Sequence, residues 1–304
     1  MATDDPTRRL LDWLSALDPP SLALLGCAHA DLPPIPPDAV GIRAAGCLVD
    51  AGISLPAQIL AGGIPAIEVI ECPLRPAESQ RQLREWSELL VGIGPATVRP
   101  RPGLRRRRGP VFDLGNPGLS RRAVFGLPTG RDSSLDPAED DAARAIAALR
   151  VLHDQGRTRS APVAEPAAAP TSPPPADADH PAVSLVAGAC TACGVCVKAC
   201  PHGALELLTT GSATVLRHHA DACRAELSCV QLCPPGVLSV AGRLPLIDLA
   251  RTTVTELATV ATACCQRCGA LHPAAEGTLC AVCSARAADV FGSFTPPGRP
   301  VLPR

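Results

Sequence analysis

The chain has 304 residues, room for about two ordinary domains or three small ones, and carries 34 Pro, 25 Gly and 15 Cys against four Phe, two Trp and no Tyr. So few aromatics cannot furnish one large core, and the 46% hydrophobic content, mainly Ala, Leu and Val, predicts several modest ones. A formal net charge of −1 excludes a globally basic nucleic-acid binder and a strongly acidic solvating chain, and no apolar run approaches the ~18 residues of a membrane span.

The first residues hold neither a basic stretch nor an apolar one of the signal-peptide kind, so no secretory signal is expected and the expected setting is cytoplasmic. Thiols stay reduced in that compartment, so the cysteines point to metal or redox chemistry rather than to disulfides. Twelve of the 15 fall between Cys190 and Cys283, which places that chemistry in the C-terminal half.

Residues 1–156 read as an α/β domain. An amphipathic segment over residues 7–17 precedes three short apolar runs, 21–27, 40–47 and 66–72, which end in Cys27, Cys47 and Cys72. Helical patterns lie at 55–60, closed by Gly62 and Gly63, and at 77–90, where Leu83, Trp86, Leu89 and Leu90 recur at helical spacing. Strand, helix, strand, helix predicts a small parallel sheet with crossovers. Each cysteine would stand at the carboxyl edge of that sheet, where open α/β folds hold ligands. The order and setting of these three cysteines over residues 20–94 resemble the delta subunit of methyl-viologen-reducing hydrogenase, a domain associated with heterodisulfide reductases. That resemblance implies a 2Fe–2S centre and a partner oxidoreductase. The family domain uses further cysteines near the first and third positions, where this chain has Ala28 and His29, and Leu74 and Arg75. The set is therefore incomplete, and the plainer reading is three buried cysteines in a degenerate domain.

The arginine-rich run at 99–108 reads as a solvated loop, or else as a docking patch for an acidic partner or nucleic acid. No stacking aromatics lie beside it, which weighs against single-strand binding. Asp136 is expected to cap a helix that starts with Pro137 and runs to about residue 154. Residues 157–182 hold seven prolines and no apolar periodicity and form a semi-extended linker.

The most specific feature follows. Cys190, Cys193, Cys196 and Cys200, the last followed by Pro201, make C-x2-C-x2-C-x3-C-P. A tight loop of this spacing brings three thiolates onto one cubane, with Gly194 permitting the turn. At an offset of 33 residues Cys223, Glu226, Cys229 and Cys233 repeat the pattern, and the residues after Pro201 realign with those after Pro234. The pair resembles a dicluster bacterial-type 4Fe–4S ferredoxin over about residues 183–243, an α+β module with strands expected at 183–187, 204–209, 214–218 and 237–240. The crossed ligation of that family implies one cluster on Cys190, Cys193, Cys196 and Cys233. A second falls to Cys200, Cys223 and Cys229, with Glu226 where the fourth thiolate would stand. A carboxylate is a harder and weaker ligand here, so the second site is expected to hold a 4Fe–4S centre with a labile corner or a 3Fe–4S centre. The plain alternative is that Glu226 is merely exposed to solvent. His202, His218 and His219 read as tuning groups rather than ligands.

Cys265 and Cys268 and, after eleven residues, Cys280 and Cys283 form two C-x2-C knuckles, with Gly269 suited to the first turn. Four thiolates so spaced read as a closed tetrahedral site, zinc before iron, in a small zinc-ribbon-like module within residues 244–304. Cys264 reads as a bystander that could replace Cys265. Residues 244–261 are expected to be a helical connection. No nucleotide loop or hydrolytic triad is present. The sequence therefore predicts a cytoplasmic iron–sulfur electron-transfer subunit, without a substrate site of its own, serving a hydrogenase- or heterodisulfide-reductase-like oxidoreductase. Its rival is a redox-sensing regulatory or binding protein that joins the clusters to a zinc ribbon and the arginine run.

Overall fold

Strands β1 (Leu22–Gly26), β2 (Ala39–Arg43) and β3 (Ile67–Val69) pair side by side and all parallel, as their near-continuous apolar character requires of strands covered on both faces. In the computed structural model, which describes residues 6–97, 109–116, 140–159, 181–251 and 254–288, two short strands complete this sheet. They are β4 (Ile93–Pro95) and β5 (Val111–Asp113), and the order is β4-β3-β1-β2-β5. Helices α1 (Pro6–Ser15), α2 (Ser54–Ala61) and α3 (Pro76–Leu89) lie where the apolar spacing puts them. Trp86 on α3 is 2% exposed, and Trp13 on α1 sits against Phe112 with ring centroids 5.2 Å apart. The expected parallel sheet forms, but β1 and β2 follow one another with no helix between them.

The last helix of this part, α4 (Asp141–Asp154), starts later than expected. Its N-cap is Asp140, whose carboxylate accepts from the Ala143 N–H at 2.7 Å, while Asp136 lies outside the described residues. So do the run at 99–108 and most of the 157–182 linker. α4 packs on α2, and Ser54 at the start of α2 donates to Asp141. Beyond α4, Arg157 reaches back and donates to the carbonyls of Leu60, Ile64 and Pro65 at 2.8–3.0 Å, satisfying acceptors left open where α2 ends.

The second compact unit is built from the ferredoxin-like repeat and the C-terminal cysteines together. Strand β6 (Ala182–Ala187) pairs antiparallel with β9 (Leu238–Leu244), and β7 (Leu205–Thr210) forms a hairpin with β8 (Ala213–His219). Each half-repeat contributes one short helix, α5 (Val195–Ala199) and α6 (Ser228–Gln231), and the two pack on each other. These four strands stand close to where the sequence puts them.

The connection at 244–261 does not. Only α7 (Leu246–Arg251) is helical, and it belongs to the N-terminal unit, where it packs on α4. Residues 254–264 are instead the long strand β10 (Val254–Cys264), which pairs antiparallel with β8 along most of its length and then with β11 (Leu271–Pro273). The run of Val and Thr over 254–262 favours strand, since β-branched side chains lose rotamer freedom in a helix and fit a pleated surface. Across β7, β8 and β10, Thr209, Thr214 and Thr262 link hydroxyls at 3.0 and 2.8 Å, with Thr214 and Thr262 buried. The C-terminal cysteines are therefore carried on the same four-stranded sheet, β11-β10-β8-β7, as the ferredoxin hairpin, rather than on a separate appendage. Helix α8 (Ala281–Ala288) ends the described chain.

Replacing Arg157 by Met is expected to destabilise the N-terminal unit by on the order of 2 kcal/mol, because the carbonyls of Leu60, Ile64 and Pro65 lose their charge-assisted donor. A urea titration followed by the fluorescence of Trp13 and Trp86 should show the earlier midpoint, and an unchanged midpoint would refute the bracing role.

Candidate functional site

The two ligand loops of the repeat share one backbone path. Ala192 and Gly194 in the first loop adopt φ of 54° and 75°, and Ala225 and Leu227, 33 residues on, adopt 56° and 62°. Left-handed backbone at three non-glycine residues is uncommon and costs on the order of 1 kcal/mol each, so it persists where a loop must hold a set shape. Gly203 and Gly236, after the two Cys-Pro pairs, match as well at 64° and 66°. The repeat seen in the cysteines is thus a repeat of conformation.

Each loop folds around a cavity. The first is lined by Cys190, Cys193, Cys196 and, from the other half-repeat, Cys233, with Leu207, Leu216 and Leu238 around them. The second is lined by Cys200 from the first half together with Cys223, Glu226 and Cys229. The structure thus gathers the same two groups of side chains that crossed ligation would use. The Ala192 N–H points at Cys190 Sγ at 3.4 Å and the Ala204 N–H at Cys200 Sγ at 3.3 Å, the kind of donor that stabilises thiolate sulfur. Burial, with the thiols of Cys190 and Cys193 close by, pushes the Cys196 thiol up to about 11. Burial, with Cys200 and Cys223, does the same to Cys229. Both are protonated at neutral pH in the free protein, so any metal centre bound here must displace those protons. Soft donors converging on sulfur-lined cavities, with backbone N–H groups aimed at them, fit an iron–sulfur cluster.

The two cavities differ in polarity. Around the first the lining is largely apolar; the second adds His202, His218, Arg224 and Ser228. Glu226 lines the second cavity, but its side chain is half exposed and its carboxylate accepts from His202 Nε2 at 2.8 Å. His219 pairs with Glu206 at 3.2 Å. His218 is only 2% exposed, and its Nε2 has no hydrogen-bond partner among the described residues. Burial drives its pKa down to about 4, so the ring is neutral at pH 7.

The C-terminal quartet is tighter. The Sγ atoms of Cys265, Cys268, Cys280 and Cys283 all lie within 4.8 Å of one another, and Cys268 and Cys280 are 3.7 Å apart. Gly269, at φ 72°, makes the knuckle turn, and its N–H donates to the Cys265 carbonyl. Cys265, Cys280 and Cys283 are buried and Cys268 is exposed; Cys264, one residue away, is exposed and outside the group. Backbone N–H groups of Cys280 and Cys268 pull the Cys265 thiol down to about 5, while burial and the neighbouring thiols push Cys283 up to about 12. Four sulfurs on one point, with backbone donors in place, fit a tetrahedral four-thiolate ion.

A third convergence was not anticipated in full. The Sγ atoms of Cys27, Cys47 and Cys72 meet, and a ring nitrogen of His29 joins them. The signal in the sequence was the Cys-x-His pair at 27 and 29, one strand away from the other two cysteines.

Residues 189–237 match the family model of the 4Fe-4S dicluster domain. This stretch of the chain is similar to an iron–sulfur module. The match spans both ligand loops and both Cys-Pro pairs and indicates an iron–sulfur electron-transfer role. No curated protein matches the chain. Among the described residues, no helix is long and apolar enough to cross a membrane.

Since His218 is held below its unfolded value of about 6.5, the unfolded chain takes up a proton first as pH falls. Stability from this group is therefore full above about pH 6.5 and drains away towards pH 4, by on the order of 2–3 kcal/mol. His218→Phe should flatten that part of the stability–pH curve relative to the parent chain, and parallel curves for the two would refute the assignment.

Proposed function

We propose that this chain is a one-electron carrier with two iron–sulfur centres of unequal ligation, serving a cytoplasmic oxidoreductase. The observation that supports this best is the sorting of the seven cysteines and Glu226 into two cavities, each completed by a cysteine of the opposite half-repeat. In this reading Cys190, Cys193, Cys196 and Cys233 hold a 4Fe–4S cluster, and Cys200, Cys223 and Cys229 with Glu226 hold the second centre. The bound clusters would supply storage of single electrons at potentials set by their surroundings.

The chain's own groups set those surroundings. Leu207, Leu216 and Leu238 keep water from the first cavity, and the Ala192 N–H shares charge with the Cys190 sulfur. At the second cavity the fourth position falls to a carboxylate already bonded to His202, so it can let go without leaving a buried charge unpaired. That favours a three-iron centre, or a four-iron one with a labile corner. The C-terminal quartet would hold zinc as a structural ion that fastens β10 and β11 to α8. A hydrogenase- or heterodisulfide-reductase-like complex is the partner class, supported by the cysteine pattern of the N-terminal domain.

Anaerobically purified protein is expected to be brown and to bleach reversibly with dithionite. Before reduction, it should show a three-iron EPR signal after mild oxidation. Glu226→Cys should abolish that signal and raise the iron content by about one atom per chain. Two oxidation-resistant four-iron centres in the parent chain would overturn the unequal pair; colourless protein lacking acid-labile sulfide would overturn the carrier. Fast reduction of an acceptor protein supports a carrier, whereas nucleic-acid binding that changes with cluster oxidation would replace it with a sensor.

A further inference from the structure

The three N-terminal cysteines come together because of strand order. β1 lies between β2 and β3, and Cys27 follows the last residue of β1, while short loops bring Cys47 back from β2 and Cys72 back from β3. The loops are tied to one another at that edge: the Ala28 N–H donates to the Gly46 carbonyl at 3.1 Å, the Ala44 N–H to Gly26 at 2.8 Å and the Ile70 N–H to Leu25 at 2.9 Å. The Cys72 N–H donates to the buried Ser79 hydroxyl at 3.2 Å, which fixes the third cysteine against α3. Positions far apart in sequence are thus held at one point on the carboxyl edge of the sheet.

At that point stand three sulfurs and an imidazole nitrogen, all within 4.8 Å of one another, with Cys47 and Cys72 Sγ at 3.7 Å. Buried cysteines acting as small apolar side chains have no reason to meet sulfur to sulfur, since dispersion is served equally well by aliphatic neighbours. The spacing is far longer than the ~2.0 Å of a disulfide. It agrees instead with a tetrahedron around a single ion, where a metal–sulfur bond of ~2.3 Å sets an edge of about 3.8 Å. A binuclear cluster would hold the thiolates of its two metals farther apart than such an edge. Cys27 and Cys72 are 0% and 1% exposed and close the site from the core side, while the exposed His29 closes it from solvent.

We propose that Cys27, His29, Cys47 and Cys72 bind one zinc ion as a closed Cys3His site that pins the carboxyl ends of the three central strands. All four tetrahedral positions are taken by protein, so the ion is structural and offers no place for a substrate. The N-terminal domain then needs its metal to keep this edge together, because three loops meet there around thiols rather than around apolar side chains. This inference goes beyond the electron-carrier reading and does not rest on the clusters at the repeat.

The test uses the full-length chain with Cys265→Ser and Cys268→Ser, which removes the C-terminal quartet as a source of zinc. Elemental analysis should still find one zinc per chain, and its K-edge absorption, to which iron is silent, should report three sulfurs at about 2.3 Å and one nitrogen at about 2.0 Å. His29→Ala, at an exposed position that the core does not need, should remove the nitrogen and weaken zinc retention against a chelator by more than about tenfold. The same substitution in the otherwise unchanged chain should let a chelator strip one equivalent of zinc that the parent retains, which keeps the test open if the C-terminal substitutions unfold their module. Absence of zinc from the quartet-deficient chain, a four-sulfur shell, zinc unmoved by His29→Ala, or two irons lost on Cys47→Ser would each overturn the site. Iron and sulfide measured on the same samples report the two clusters separately, so failure here is distinguishable from failure of the carrier.

Discussion

Two half-repeats that each lend a cysteine to the other's cavity cannot be assembled one at a time. Cys233 completes the set around the first loop and Cys200 the set around the second, so neither half has its full group of soft donors until both are folded. Everything else in the C-terminal unit follows from this exchange. The loops must hold left-handed backbone at Ala192, Ala225 and Leu227, the two short helices must pack together, and the outer strands β6 and β9 must close on each other. In a chain with six aromatic residues, convergence of sulfur takes on work that a large apolar core does elsewhere.

The sheet also explains why the C-terminal knuckles stand where they do. β10 runs antiparallel to β8 as far as Ala261 and then to β11 as far as Cys264, so Cys265 begins where the second ladder ends. The threonines that cross from β7 through β8 to β10 fasten the quartet's strand to the ferredoxin hairpin. Arg217 on β8 and Glu256 on β10 pair at 2.9 Å on the exposed side, a contact of small worth that sharpens register more than it adds stability.

How much of this could be read from sequence depended on whether a signal was local. The cysteine loops were legible because ligand spacing and backbone conformation are set within a dozen residues, and the strands flanking them followed from the repeat. The parallel strands ending at Gly26, Arg43 and Val69 were legible from apolar runs alone. β10 was missed because the apolar helix at 246–251 precedes it closely in sequence, and the β-branched residues over 254–262 were outweighed until pairing with β8 made the strand plain. The cap of α4 was misplaced by four residues because Asp136 and Asp140 both precede acceptable first turns. His29 went unread because a lone histidine beside a cysteine gains meaning only when strand order brings Cys47 and Cys72 to it.

The short helix at Leu246–Arg251 has a practical meaning for anyone dissecting this chain. It lies between β9 and β10 in sequence yet belongs to the N-terminal unit, burying Leu246, Ile247, Leu249 and Ala250 there. The polypeptide therefore leaves the C-terminal unit and comes back to it. A scission in the proline-rich stretch does not separate two self-sufficient pieces: it tears four apolar side chains from their bed and hands a greasy stub to the C-terminal fragment, which invites clumping.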